Sequence, residues 1–255
     1  MERGVDGAGG RRAPGTGSTG RHAPPADVAA AGSALLEPRP VGPRPGSARR
    51  RTQAAPAVRT VVQAAVGVAV WAIVVLHVVG IAGAVDPLQH TLSDYVALPG
   101  GYLVLGIAAA ALAVAGAALA VAAHRLGAGR VPVALLASWA VAMAVAGIFP
   151  TNPPGTPPDV VAVVHRYAGA WVFAVLPVAV LLLAPMVTAA ARRRVALLSV
   201  SAGVLAGVFL LAHVPIVVFG SPAFPLLGGV ERVLYGVVTV LLVVTARSLR
   251  TEVAP

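Results

Sequence analysis

The stretch VVQAAVGVAVWAIVVLHVVGIAGAV, Val61–Val85, decides the fold. It is apolar on every face of a helix, Arg59 precedes it, Asp86 follows it, and its only ionisable side chain is His77. A helix of this length crosses a hydrocarbon core of about 30 Å, whereas a half-buried strand would alternate polar and apolar residues. The stretch reads as a transmembrane helix.

Five further runs of the same character follow: Gly101–Ala122, Val131–Phe149, Val160–Ala190, Val195–Phe219 and Val230–Ala246. None alternates as a membrane β-strand would. The fold class is therefore all-α, a six-span transmembrane bundle occupying residues 57–250. The fourth run is long enough to tilt, or to kink at Pro177 and Pro185, where a proline removes a backbone donor and crowds the preceding turn. A composition of 58% hydrophobic against 11% charged residues places the chain in the membrane class before any span is drawn.

The net charge of +10 would suggest a nucleic-acid partner in a soluble protein. Its placement explains it otherwise, and no nucleic acid is expected. Arg44, Arg49, Arg50, Arg51 and Arg59 precede the first span, Arg125 and Arg130 separate the second from the third, and Arg192, Arg193 and Arg194 separate the fourth from the fifth. Arg247 and Arg250 follow the sixth. The alternate connections hold only Arg166 and Arg232, with Asp86, Asp94, Asp159 and Glu231. The positive-inside rule then puts both termini in the cytoplasm of a multi-pass cell-membrane protein. All the basic residues are arginine, a bias that matches a GC-rich bacterial genome.

Residues 1–56 are a different material, a Gly, Pro, Arg and Ala tract with too few large apolar residues to build a core. They are expected to form a disordered cytoplasmic tail, and 251–255 a short second one. Ala82-Gly83-Ala84 imitates a signal-peptidase site, but the apolar run before it exceeds a signal-peptide core and no cleavage is expected. The absence of cysteine excludes disulfides, thiol catalysis and thiolate metal sites. No glycine pattern for ATP or a dinucleotide is present.

The informative side chains gather at the ends of the spans read as outer. The first outer connection carries His90, Ser93, Asp94 and Tyr95; if helical, it would place His90 and Asp94 on one face. The second, stiffened by prolines, carries Asn152 and leads into His165 and Arg166. His77 and His213 lie towards the same ends of the first and fifth spans, and Glu231 and Arg232 open the sixth. Ionisable groups at such depths are costly unless paired or turned to a polar cavity, so one shared outward-facing pocket is the economical arrangement. The structural alternatives are that Arg232 ties helix ends through Asp86 or Asp94, and that His77 and His213 donate to carbonyls one turn away. Tyr95, Tyr102, Tyr167 and Trp171 read as an interfacial belt.

The order of His-x-x-Ser-Asp-Tyr, Gly-Ile-Phe-Pro-Thr-Asn-Pro, His-Arg-Tyr-Ala-Gly and a late Gly-Val-Glu-Arg resembles the bacterial membrane family catalogued as domain of unknown function 998. The likeness covers roughly residues 60–247. It implies a six-span fold and carries Ser93, Tyr95, Phe149–Pro153, His165, Glu231 and Arg232 as family elements, without an activity. Asn152 stands where the family pattern usually has Asp, which removes a possible anionic ligand.

Two function classes follow. In the favoured one, the protein contacts membrane lipids and its outer pocket binds a lipid headgroup, a small ligand or a partner. In the alternative, it is an intramembrane hydrolase acting on a lipid-linked or extracytoplasmic substrate. His90, Asp94, His165 and Glu231 would then gather a divalent metal, or Ser93 would act with His90 or His165 as base. Transport ranks last, because the inner half of the bundle has few polar residues to line a path.

Overall fold

A computed structural model describes residues 45–80, 85–153 and 155–250. The expected tail over 1–44, the tripeptide Ala82–Ala84 and the closing 251–255 lie outside the described residues. The elements are α1 (Pro45–Gly80), a 3-10 segment (Leu92–Ala97), α2 (Gly101–Arg125), α3 (Arg130–Ile148), α4 (Val160–Leu182), a 3-10 turn (Ala184–Met186), α5 (Ala189–Phe219) and α6 (Leu227–Ser248). All six long helices are long and apolar enough to cross a membrane. Among the described residues there is no strand, only one isolated antiparallel bridge between Val187 and Leu249.

Two boundaries differ from the sequence reading. α1 starts at Pro45, inside the tract read as a tail. The fourth run is split: α4 ends at Leu182 and the chain turns through Ala184–Met186 before α5 begins. Pro185 has no N–H to continue the ladder and biases the residue before it away from helical geometry. Arg192, Arg193 and Arg194 consequently sit in α5 itself. Pro177 stays within α4.

Successive helices pack side by side, and α6 returns to α1. Their direction alternates. Tyr102 near the start of α2 bonds Ile148 at the end of α3, and Trp139 of α3 bonds Val172 of α4. Phe173 of α4 meets Phe209 of α5 edge to face, and Arg232 at the start of α6 bonds His77 at the end of α1.

Lipid tails are as apolar as leucine, so the helices hold together by close packing and internal hydrogen bonds. Trp139 illustrates both. It is fully buried, its indole N–H donates to the Val172 carbonyl at 2.9 Å, and a Cβ at Gly116 would come within 2.5 Å of its ring. The outward faces are apolar: Trp71 is 69% exposed and Phe219 76%. A water-soluble protein would not leave so much large apolar surface uncovered.

At one end, the α4–α5 connection is stitched to the end of α6. Thr188 N–H donates to the Ser248 carbonyl at 2.9 Å, and the backbone N–H and Nε of Arg250 donate to Met186 and Val187. The opposite end carries the 3-10 segment and most of the candidate polar residues.

Candidate functional site

The connection from α1 to α2 forms a cap over the end of the α1–α6 pair. Its first turn is built by its own polar groups. The Asp86 carboxylate accepts from Leu88 N–H at 2.8 Å, and His90 Nδ1 accepts from Asp86 N–H at 3.0 Å. A second local device starts the 3-10 segment: Asp94 accepts from both the backbone N–H and the hydroxyl of Thr91, at 2.7 and 2.9 Å. This is a capping-box arrangement, which satisfies donors that a short helix leaves without partners. Ser93 lies 2.9 Å from the Thr91 hydroxyl. His90 and Asp94 therefore do not share a helix face, because the chain turns between them.

The cap is seated on three helices where glycine leaves room. A side chain on Gly80 would meet the Tyr95 ring at 2.7 Å. A Cβ at Gly101 would overlap the Tyr95 carbonyl, and one at Gly228 the His90 carbonyl. Tyr95 is consequently only 1% exposed, a core residue and not part of an interfacial belt, while Tyr167 is 76% exposed.

Glu231 and Arg232 then fix the cap from α6. Glu231 is buried, and its carboxylate accepts from the Leu92 N–H at 2.5 Å. Arg232 points about 100° further round the helix. Its Nε–H donates to His77 Nε2 at 2.7 Å, Nη1 donates to the carbonyls of His90 and Gly228 at 2.8 and 2.9 Å, and Nη2 donates to the Tyr95 hydroxyl at 3.2 Å. The guanidinium carbon also lies 5.5 Å from the centre of the Tyr95 ring. Arg232 binds neither Asp86 nor Asp94, the partners considered from the sequence; all its acceptors among the described residues are neutral.

His77 completes the cluster, and its protonation follows from its partners. Nδ1 lies 2.7 Å from the Ile73 carbonyl, which can only accept, so Nδ1 carries the proton. Nε2 receives the arginine N–H and must be unprotonated. The Nδ1–H bond one turn back is the alternative foreseen for this histidine, and His213 does the same towards Phe209 at 2.8 Å.

The remaining candidates lie apart. His165 Nδ1 donates to the carbonyls of Ala146 and Phe149 at 2.9 and 2.8 Å, and Tyr102 donates to Ile148. These side chains from α4 and α2 satisfy carbonyls that the end of α3 leaves free. Arg166 donates to the Asn152 side-chain oxygen at 3.2 Å, and Asn152 donates to the Thr156 carbonyl. Among the described residues, no three His, Asp or Glu side chains come together to hold a metal ion. The structure thus joins His90, Ser93, Asp94, Tyr95, Glu231 and Arg232 in one cap and places Asn152, His165 and Arg166 at the α3–α4 turn. His213 lies by itself on α5.

Sequence reasoning passed over Thr91, Leu92 and Gly228. Thr91 had a signal, a Thr three residues before Asp94, which is a capping-box spacing. The backbone N–H of Leu92 and the clearance at Gly228 had none, since both depend on contacts more than a hundred positions apart.

Six membrane-compatible helices locked at one end by a polar cap define a multi-pass helical membrane protein. The chain belongs to the family described as Protein of unknown function (DUF998), whose model matches residues 63–248 and so takes in the second half of α1 and all of α2 to α6. Searches of curated proteins and of solved structures found no match.

Proposed function

We propose that this protein is a membrane-embedded binding module of the cell membrane, with both termini cytoplasmic, whose cap faces outward and takes an anionic group on Arg232. The observation that carries the reading is the state of that arginine. It is half-buried, carries a full charge, and spends its bonds on neutral acceptors. A guanidinium offers five N–H donors in a planar fork suited to phosphate or carboxylate. Four of them are used here, and the bond to Tyr95 is the longest at 3.2 Å. An anion arriving at Nη2 would take the free N–H and displace the Tyr95 hydroxyl, loosening the cap as it binds. Glu231 is turned to the Leu92 N–H and takes no hydrogen bond from the guanidinium.

The shared chemistry, a phosphate-like anion, can come from a lipid headgroup or from solution. Thermal unfolding of the protein in neutral detergent should be measured with added phosphatidylglycerol, phosphatidylcholine or inorganic phosphate. Ligand that binds the folded state raises the melting temperature. A rise with phosphatidylglycerol alone identifies an anionic lipid, and a rise with phosphate identifies a soluble anion. Arg232→Gln should abolish either rise. A rise of equal size in Arg232→Gln, or none with any probe, would refute the reading.

A further inference from the structure

We infer that His77 is a proton-operated latch on this cap: its neutral form holds Arg232, and its protonated form releases it. The inference concerns regulation of the same site and rests on the reading of Arg232 as the anion-binding group. Its basis is the double engagement of one imidazole. Nδ1–H is committed to the Ile73 carbonyl at 2.7 Å, and Nε2 accepts the Arg232 Nε–H, also at 2.7 Å. A second proton can enter only at Nε2, where it would face an arginine N–H. The bond would be lost and two positive charges would oppose each other in a poorly hydrated place.

Among the described residues, nothing else bonded around His77 compensates for the added charge. From α6 it faces Arg232 itself, and from the cap it faces Tyr95, whose ring centre lies 5.1 Å away. Glu231 on α6 is turned to Leu92 N–H, Asp94 to Thr91, and Asp86 to Leu88 N–H. His90 Nδ1 is held by Asp86 N–H. From α2, Tyr102 is engaged with Ile148. His77 is half-buried. Imidazole is the side chain whose charge changes between about pH 5 and pH 8.

The consequence passes through Arg232 to the cap. The same guanidinium that bonds His77 also bonds the His90 carbonyl and the Tyr95 hydroxyl. Pushed from His77, it can no longer keep all three. Acidification would therefore free the cap and expose the arginine to an anion, coupling ligand access to the pH on the capped side.

The chain has no cysteine, so a single Leu92→Cys reports on the cap: the position is buried and its backbone N–H, which bonds Glu231, is retained. Thiol labelling in detergent, without added lipid or phosphate, is compared at about pH 8 and about pH 5 after correction with a free-thiol standard. Labelling should quicken on the order of tenfold at the acid end, the weight of one charge-assisted hydrogen bond. Adding His77→Gln should remove that acceleration, because an amide both accepts and donates but does not titrate. Equal acceleration in His77→Gln, or none in the parent, would overturn the latch.

A spectroscopic measurement keeps the inference testable if His77→Gln does not fold. Nitrogen NMR of labelled histidine should show His77 as the Nδ1–H tautomer at the alkaline end; an Nε2–H tautomer there overturns it. Failure of the anion reading is separately visible, as absence of any thermal shift with phosphatidylglycerol or phosphate at either pH while labelling still responds.

Discussion

Replacing Arg232 by leucine removes the central tie between α6, α1 and the cap. The bonds to His77 Nε2 and the His90 carbonyl, at 2.7 and 2.8 Å, are short and charge-assisted; each contributes about 1.5–3 kcal/mol in favourable surroundings. The Tyr95 bond is longer, and the Gly228 bond lies within α6. The site is half-buried, so water rescues part of what is lost, and leucine regains some packing. A net cost of about 3 kcal/mol results, at the lower edge of what removing one member of a buried polar pair costs. At roughly 2–4 °C per kcal/mol for a domain of this size, the apparent melting temperature in detergent should fall by about 6–12 °C. Arg232→Lys should recover less than half, because an ammonium cannot supply the planar fork that reaches four acceptors at once. Combining Arg232→Leu with Glu231→Gln should cost clearly less than the sum, since both side chains anchor the same segment, one through Leu92 and the other through His90 and Tyr95. Strict additivity, an unchanged melting temperature in Arg232→Leu, or full rescue by lysine would refute the tie.

Gly228→Ala should loosen the cap without removing a polar group, because the new Cβ meets the His90 carbonyl; faster labelling of Leu92→Cys at neutral pH would report it. His165→Leu should destabilise the end of α3 by about 1–3 kcal/mol by stranding the Ala146 and Phe149 carbonyls, and added zinc should not alter its melting curve or that of the parent. In intact cells, cysteine at Asp159 should react with an impermeant thiol reagent while cysteine at Gly127 should not; the opposite pattern would invert the orientation.

The helices were legible because the bilayer imposes a one-dimensional rule. An apolar run long enough to span must satisfy its backbone within itself, and Val61–Val85 announces this without reference to any other residue. The break at Pro185 was only half legible: the proline marks a weak point, but whether a helix bends or ends there depends on what the next turn can pack against. The depth of the polar residues was legible for the same reason as the spans, which is why Glu231, Arg232 and Tyr95 could be named as candidates. Their partners were not, because side chains at one depth can pair around the whole circumference of a bundle. Arg232 had two carboxylates available by depth and took a histidine, two carbonyls and a phenol. The physical reason lies in the cap. Asp94 is used to start the 3-10 segment and Asp86 to close the preceding turn, so each carboxylate is engaged within the connection itself. An arginine left with neutral acceptors keeps its charge available. On the proposed reading, that displacement is what leaves the guanidinium able to receive an anion.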